Sequence, residues 1–314
     1  MNILITGGMG FIGHNVVIVL EKLKHNVSMV DNITDYGIIP RRELDFLMFK
    51  RICRIKSPNI TIADISEPLD DKLFEGIDVV IHLASFPRQK VVNKNPAAGS
   101  KVMSEGLLNL LELSVKHGVK RFVYASSSMV YGNFDHTNTN ENAVCAPIGQ
   151  YGIMKLAGEW LVRDYTRQYG LDHTIVRPSA VYGPYDVEDR VISKFFAAAM
   201  RDDKLIVNGA DEMLDFTFVG DTAFGIALAA TSPGSLNQTY NISRGKAHTL
   251  LEAATLITKI VGKGTVVVKE RDSAFPVRGE LNIQKARTDF GYHPDVNLAQ
   301  GLFEYYEWLK QVKL

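Results

Sequence analysis

Apolar positions along the chain fall into two alternating kinds of run. Short β-branched stretches give way to longer ones whose apolar residues recur at helical spacing. Asn2-Ile3-Leu4-Ile5-Thr6 has the character of a buried strand closed by glycine, and a helix-spaced stretch then runs to about Lys24. Further strands are expected over 27–30, 59–62, 78–84, 121–125 and 173–177, and further helices over 96–117 and 150–170. In the helix over 96–117, Leu107, Leu108, Leu110 and Leu111 supply the apolar stripe. Near-continuous apolar strands separated by helices mark an α/β chain with a doubly wound parallel sheet, whose ligand lies outside the carboxyl ends of the strands.

After Pro178 the rhythm changes. Turn-rich breaks at Gly183-Pro184 and Asn208-Gly209 separate helical patterns over 191–201, 221–230, 250–261 and 298–310. This predicts a smaller, interleaved α+β C-terminal region that covers the substrate. The expected division is 1–178 for the first domain, with 220–244 returning to it, and 179–219 plus 245–314 for the second. Residues 36–57 are basic and only partly apolar; they cap the end of the first site or extend the second crossover.

The first strand and helix are joined by Gly7-Gly8-Met9-Gly10-Phe11-Ile12-Gly13, and Asp31 ends the second strand 18 positions after Gly13. A glycine turn between strand and helix, followed by an acid at the next strand end, is the dinucleotide fingerprint of a Rossmann-type sheet. Gly7 permits the tight turn, Gly10 lets backbone approach a pyrophosphate, and Gly13 lets helix close on strand. The amides near Phe11 and Ile12 then face the phosphates. Asp31 would accept hydrogen bonds from ribose hydroxyls and repel a 2′-phosphate, which selects NAD over NADP.

Tyr151 and Lys155 stand four apart in the helix over 150–170, on one face. An ammonium beside a phenol favours phenolate, and a phenol of lowered pKa can take a proton from an alcohol. The spacing alone also fits an exposed pair on a solvated helix; the glycine turn and Asp31 give it a context.

The 35 basic and 35 acidic side chains cancel, so no charge attracts nucleic acid or an anionic membrane. Cys53 and Cys145 have neither CxxC spacing nor a histidine cluster; no metal is expected, and both are read as small buried residues. With no run near the roughly 20 apolar residues of a membrane span and no leader-like N-terminus, the chain reads as cytoplasmic.

Taken together, the motifs resemble those of the extended short-chain dehydrogenase/reductases, the nucleotide-sugar epimerases and dehydratases among them. The resemblance is carried by Thr6 through Gly13, Asp31, Asp64-Ile65, His82-Leu83-Ala84-Ser85, Ser126-Ser127-Ser128-Met129-Val130-Tyr131-Gly132 and Tyr151 through Lys155. Arg177-Pro178, Val181-Tyr182-Gly183-Pro184, Asp221 and Arg278-Gly279-Glu280 continue it. It implies that Tyr151 is the general base, that Lys155 lowers its pKa and holds the nicotinamide ribose, and that Ser127 shares a hydrogen bond with the reacting oxygen. It places Asn32, Asp64 and Ile65 at the adenosine, and Leu83, Ala84, Ser85, Ala125 and Pro178 along the remainder of the NAD. It also implies a homodimer formed by pairing the helices over 96–117 and 150–170.

Within this family the dehydratases carry Asp-Glu directly after the Ser/Thr, and the sugar-acid decarboxylases share that Glu. Ser128 and Met129 occupy the two positions here and cannot do that acid–base work. A 4-epimerase demands only Tyr151, Lys155 and Ser127, so a nucleotide-sugar epimerase acting at C4 of a UDP-sugar through a 4-keto intermediate is expected. An NAD-dependent dehydrogenase of another sugar or alcohol, a nucleotide-sugar dehydratase or decarboxylase, and a non-catalytic dinucleotide sensor are the alternatives. The substrate would meet Ser85, Ser127, Ser128, Ala180, Arg190 and Arg278. Ala180 and Leu214 stand where the family usually has Asn and Arg, and Met103 where it has Asn. The diphosphate is therefore held differently, by Arg278 and Arg190, or is absent from the substrate.

Overall fold

Ile3, Leu4 and Ile5 have no exposed surface, and the strand they form, β1 (Asn2–Thr6), lies inside a seven-stranded sheet. The computed structural model describes residues 1–86, 89–134, 138–186, 189–273 and 276–312. In chain order the elements that build the site are β1, α1 (Gly13–Lys22), β2 (Asn26–Asp31), α2 (Arg41–Ile52), β3 (Ile60–Ile62), β4 (Val79–His82) and α3 (Gly106–Lys116). They continue with β5 (Arg121–Ala125), α4 (Gln150–Tyr169), β6 (Asp172–Pro178), α5 (Val191–Met200), β7 (Lys204–Asn208) and α6 (Val219–Thr231). Last come β8 (Gln238–Ile242), α7 (Leu250–Val261), β9 (Thr265–Lys269) and α8 (Leu298–Gln311).

The sheet runs β8-β6-β5-β4-β1-β2-β3, every pair parallel. Its register sets Thr6 opposite both Val30 and His82, so the carboxyl ends of β1, β2 and β4 finish side by side. Strand alternation sorts the core: Ile3 and Ile5 face one layer with Val16, Leu20 and Ile226, while Leu4 faces the other with Leu107, Phe122 and Val162. A third core, with Phe195, Phe196, Leu205, Ile257 and Leu302, joins α5, α7 and α8 to the parallel pair β7–β9.

Three expectations change. The single helix over 96–117 is broken: Pro96–Ser100 leads into a π-helical turn, Lys101–Glu105, before α3 begins. Gly106 is pressed against Ile65, where a Cβ would lie 2.9 Å from the Ile65 side chain. The widened turn lets Val102 and Leu107, five apart, both face inward. Second, 36–57 contains a three-turn helix, α2, that buries Leu44, Leu47, Met48 and Arg51 on one face. Third, Cys53 is exposed, because it follows the last residue of α2 on the solvent side, and Cys145 is half-buried. No helix among the described residues is long and apolar enough to cross a membrane.

Candidate active site at the carboxyl ends of the strands

A cavity of about 440 Å³ opens over the ends of β1, β2, β4 and β5. The glycine turn forms its floor. Gly13 lies so close to the turn that a Cβ there would sit 2.0 Å from the Gly7 carbonyl oxygen. A Cβ on Gly10, by contrast, would touch only that same oxygen, at 3.0 Å, and otherwise project into open space. No side chain caps α1, and the carbonyls of Gly10 and Ile12 take the His14, Asn15 and Val16 N–H groups, so the amides available to a ligand are those ahead of them, where Phe11 and Ile12 form the wall. A floor of backbone amides with no side chain over it fits a pyrophosphate.

Asp31 ends β2 at the same wall. Its carboxylate accepts the Met9 N–H at 2.9 Å and the Ile33 N–H at 2.8 Å. Burial pushes its pKa up, while those two amides and the nearby Arg51 guanidinium pull the other way. Asn32 and Ile65 line the cavity; Asp64 does not. The Asp64 carboxylate instead takes the Ser66 N–H and O–H and the Asn32 amide, at 3.0 Å, and so orients Asn32. Four further residues enclose this end: Tyr36, tilted against Phe86 at 4.1 Å, and Leu44, Met48 and Arg51 from α2. Arg51 is 2% exposed and donates to the Met9 carbonyl at 3.0 Å and, from Nη2, to the Tyr185 carbonyl at 2.7 Å. None of the four was singled out as a site residue in the sequence; the i, i+3, i+4, i+7 spacing of Leu44, Leu47, Met48 and Arg51 was the signal available for α2.

Leu83, Ala84, Ser85, Ala125 and Pro178 continue the wall to Ser127, Tyr151 and Lys155, which line the same cavity. The Tyr151 phenol is enclosed, and desolvation raises its pKa; Arg190 and a hydrogen bond with Ser127 draw it back down. Ser127 Oγ also accepts the Met129 N–H at 3.2 Å. Lys155 is buried and donates from Nζ to the Ala125 carbonyl oxygen at 2.7 Å, with Nζ 5.9 Å from the centre of the Tyr151 ring. Burial lowers its pKa to about 7, opposed by Glu159. The expected lowering of the phenol's pKa by Lys155 is not what the geometry gives: burial leaves the phenol above its ordinary value, and the cation that acts on it is Arg190.

Ser85, Ser128, Ala180, Arg190 and Arg278 also line the cavity. Ser128 Oγ donates to Ser179 Oγ at 3.3 Å, and Met129 is beside it. Arg190 is paired with the buried Asp186 at 3.0 Å and lies over the Phe11 ring at 5.6 Å. Arg278 is more demanding: its Nε is buried with no hydrogen-bond partner, and burial pushes its pKa down to about 10. A buried guanidinium with an unpartnered N–H, on a residue that lines the cavity, favours an anion beside it. Ala180 holds a φ of 37°, a left-handed geometry that suits Asn better than Ala. Leu214 is buried among the apolar residues of the third core. Gln89, not anticipated, also meets the cavity, with its Oε1 buried and unpartnered.

Comparison with known proteins agrees with this geometry. The model of the NAD dependent epimerase/dehydratase family matches residues 3–243. The uncharacterized UDP-glucose epimerase YtcB of Bacillus subtilis is 31% identical, over 96% of this chain and 96% of its own. A putative UDP-glucose 4-epimerase of Methanocaldococcus jannaschii is 30% identical over 98% of each chain. The crystal structure of a UDP-glucuronic acid 4-epimerase from Bacillus cereus, in complex with UDP-glucuronic acid and NAD, superposes with a TM-score of 0.91 at 27% identity. It covers 99% of this chain and 100% of that one. The chain therefore belongs to the NAD dependent epimerase/dehydratase family, among the extended short-chain dehydrogenase/reductases.

Proposed function

We propose that the chain is an NAD-dependent epimerase that inverts C4 of a UDP-sugar through a transient 4-keto sugar. One observation carries the reading: Ser127, Tyr151 and Lys155 share a cavity with the glycine turn and Arg278, while Ser128 and Met129 stand where dehydration would need an acid and a base. NAD, when bound over the turn, supplies the acceptor and the donor of hydride. Tyr151 takes the proton of the 4-hydroxyl and later returns it, so that oxidation and reduction balance within one turnover. Ser127 hydrogen-bonds the same oxygen as it passes between alcohol and ketone. Arg190 favours the phenolate, and Lys155 holds the nicotinamide ribose. Arg278, with its unpartnered Nε, and Arg190 receive the diphosphate in place of the Asn and Arg that the family usually has at 180 and 214. In this reading 1–178 with 220–244 hold NAD, 179–219 with 245–314 hold the sugar nucleotide, and two chains pair through the exposed faces of α3 and α4.

The test is incubation of the purified protein with UDP-glucose, UDP-glucuronic acid and UDP-N-acetylglucosamine, following the 4-epimers by chromatography and NADH by absorbance. Epimer should form with no net NADH. Tyr151→Phe should lower kcat by about 100-fold or more, the scale of a lost general base. Accumulating NADH would mean a dehydrogenase instead, and a fully active Tyr151→Phe would overturn the acid–base assignment.

A further inference from the structure

Behind the reacting groups lies a chain of buried polar contacts that the epimerase reading does not use. Lys155 Nζ donates to the Ala125 carbonyl at 2.7 Å. The next residue, Ser126, donates from Oγ to Glu159 Oε1 at 2.6 Å. Glu159 stands one helical turn beyond Lys155 on α4 and is 1% exposed. It also accepts Arg177 Nε at 2.8 Å and Nη2 at 2.7 Å, and Arg177 is 3% exposed. Arg177 Nη1 reaches the Tyr131 hydroxyl at 2.9 Å, which donates to Asn241 Oδ1 at 2.7 Å. Asn241 in turn donates to the Thr139 and Asn282 carbonyls, each at 3.0 Å, the latter in the segment that carries Arg278.

We propose that Glu159 is a positioning residue for Lys155, acting through the Ala125-Ser126 peptide: it fixes the Ser126 side chain and hence the carbonyl that holds the ammonium. The inference rests on the reading of Tyr151 and Lys155 as the acid–base pair. A simple ion pair would need only Arg177, or Arg163 one turn on, whose Nη2 lies 3.8 Å from Glu159 Oε2. Here one Glu159 oxygen also takes the Ser126 hydroxyl, so both ends of a single peptide are tied to the catalytic helix. The charge of Glu159 works in the same direction, since it opposes the burial that lowers the Lys155 pKa. The other titratable or charged groups near the ammonium are Tyr151 on α4, Tyr124 on β5 with its ring 5.2 Å from Nζ, and His82 on β4, which burial keeps neutral. Arg190 lies at the start of α5.

Lys155 can be titrated by the ¹³C shift of its Cε in labelled protein, assigned by difference against Lys155→Met. Ser126→Ala is the decisive variant, because it cuts the anchor and leaves both buried charges in place. Its Lys155 midpoint should fall, and its kcat for the UDP-sugar turned over should drop by about fivefold, with KM within about twofold and the alkaline limb of the profile moved down. Glu159→Gln should move the midpoint further, by about one pH unit, with kcat down about tenfold. A folded Ser126→Ala with unchanged midpoint and unchanged kcat profile overturns the proposal, even if its melting temperature falls; a shift in Glu159→Gln alone would then be lost charge. Should Glu159→Gln fail to fold around the uncompensated Arg177, Ser126→Ala still decides. Tyr151→Phe in the same assay separates the two readings: retained activity removes the acid–base pair and this inference with it, whereas an inactive Tyr151→Phe beside an unmoved Ser126→Ala removes only the inference.

Discussion

Asp215 has no exposed surface and ties three separate stretches of the chain together from a single oxygen. Its Oδ2 accepts the Ser243 hydroxyl at 2.8 Å and the Gly245 and Leu281 N–H groups at 3.1 and 3.2 Å, while Oδ1 is buried without a partner. Desolvation raises its pKa from 3.8 to about 6, more than those hydrogen bonds offset. A carboxyl raised on folding favours the native state only while it keeps its proton. Stability from this group is present in full below pH 3.8, declines as pH rises toward about 6, and is gone above it. At about 1.4 kcal/mol per pH unit the decline amounts to about 3 kcal/mol. Asp215→Asn keeps one oxygen for the three donors and carries no charge. It should be more stable than the wild type at about pH 8 by up to about 3 kcal/mol, with the advantage vanishing near pH 4. Urea unfolding across that range checks this; a constant difference between the two proteins would show that folding does not shift the Asp215 pKa. No sequence pattern gives this pKa, because burial by 243–245 and 281 is a tertiary fact.

At the scale of elements, α2 has the most to explain. It lies where the chain is richest in basic residues, with Arg41, Arg42, Lys50, Arg51 and Arg54 in close succession. That composition conceals an apolar face whose last member, Arg51, is charged yet buried. Arg51 joins the glycine turn, through Met9, to the turn at Tyr185 in the second half of the chain, and Arg54 seals the same edge by stacking on the Tyr185 ring at 4.4 Å. Arg51→Met retains most of the apolar stem but leaves both carbonyls without these donors. Losing charge-assisted bonds of this kind costs about 1.5–3 kcal/mol, part of which should appear as NAD affinity weakened about tenfold, with kcat at saturating NAD near normal. Calorimetric titration with NAD measures it; unchanged affinity would mean that α2 covers the adenosine end without organising it. The contrast with the motif residues of the cavity shows what a sequence can disclose. Gly7 through Gly13, Asp31, and Tyr151 with Lys155 are short-range patterns whose geometry one strand or one helix dictates, so they were legible. Arg51, Tyr36 and Gln89 reach the cavity only because distant segments fold over it, and the π turn at Lys101–Glu105 answers to Ile65 rather than to its own residues.

For the whole molecule, the two faces of α4 make opposite demands. The inner face is fixed: Gly152, Lys155, Gly158, Glu159 and Val162 are buried, and Gly158 lies so close to Tyr124 that a Cβ would sit 2.2 Å from its hydroxyl. The outer face carries Ile153, 53% exposed, and Trp160, 67% exposed, with exposed Ala157 between them at helical spacing. An unpartnered apolar stripe on the helix that carries Tyr151 and Lys155 is suited to a second copy of the chain, and in a two-fold interface each such residue is buried twice. An aromatic anchor of this kind is worth about 2 kcal/mol or more per copy. Trp160→Glu should therefore shift sedimentation from dimer to monomer while leaving thermal stability of the isolated fold nearly intact, since Trp160 contributes little to the core. It should also lower kcat modestly, because the outer face of the catalytic helix would lose its support. A wild-type protein that sediments as a monomer at micromolar concentration, or a Trp160→Glu protein that remains a dimer, would place the stripe outside any subunit contact.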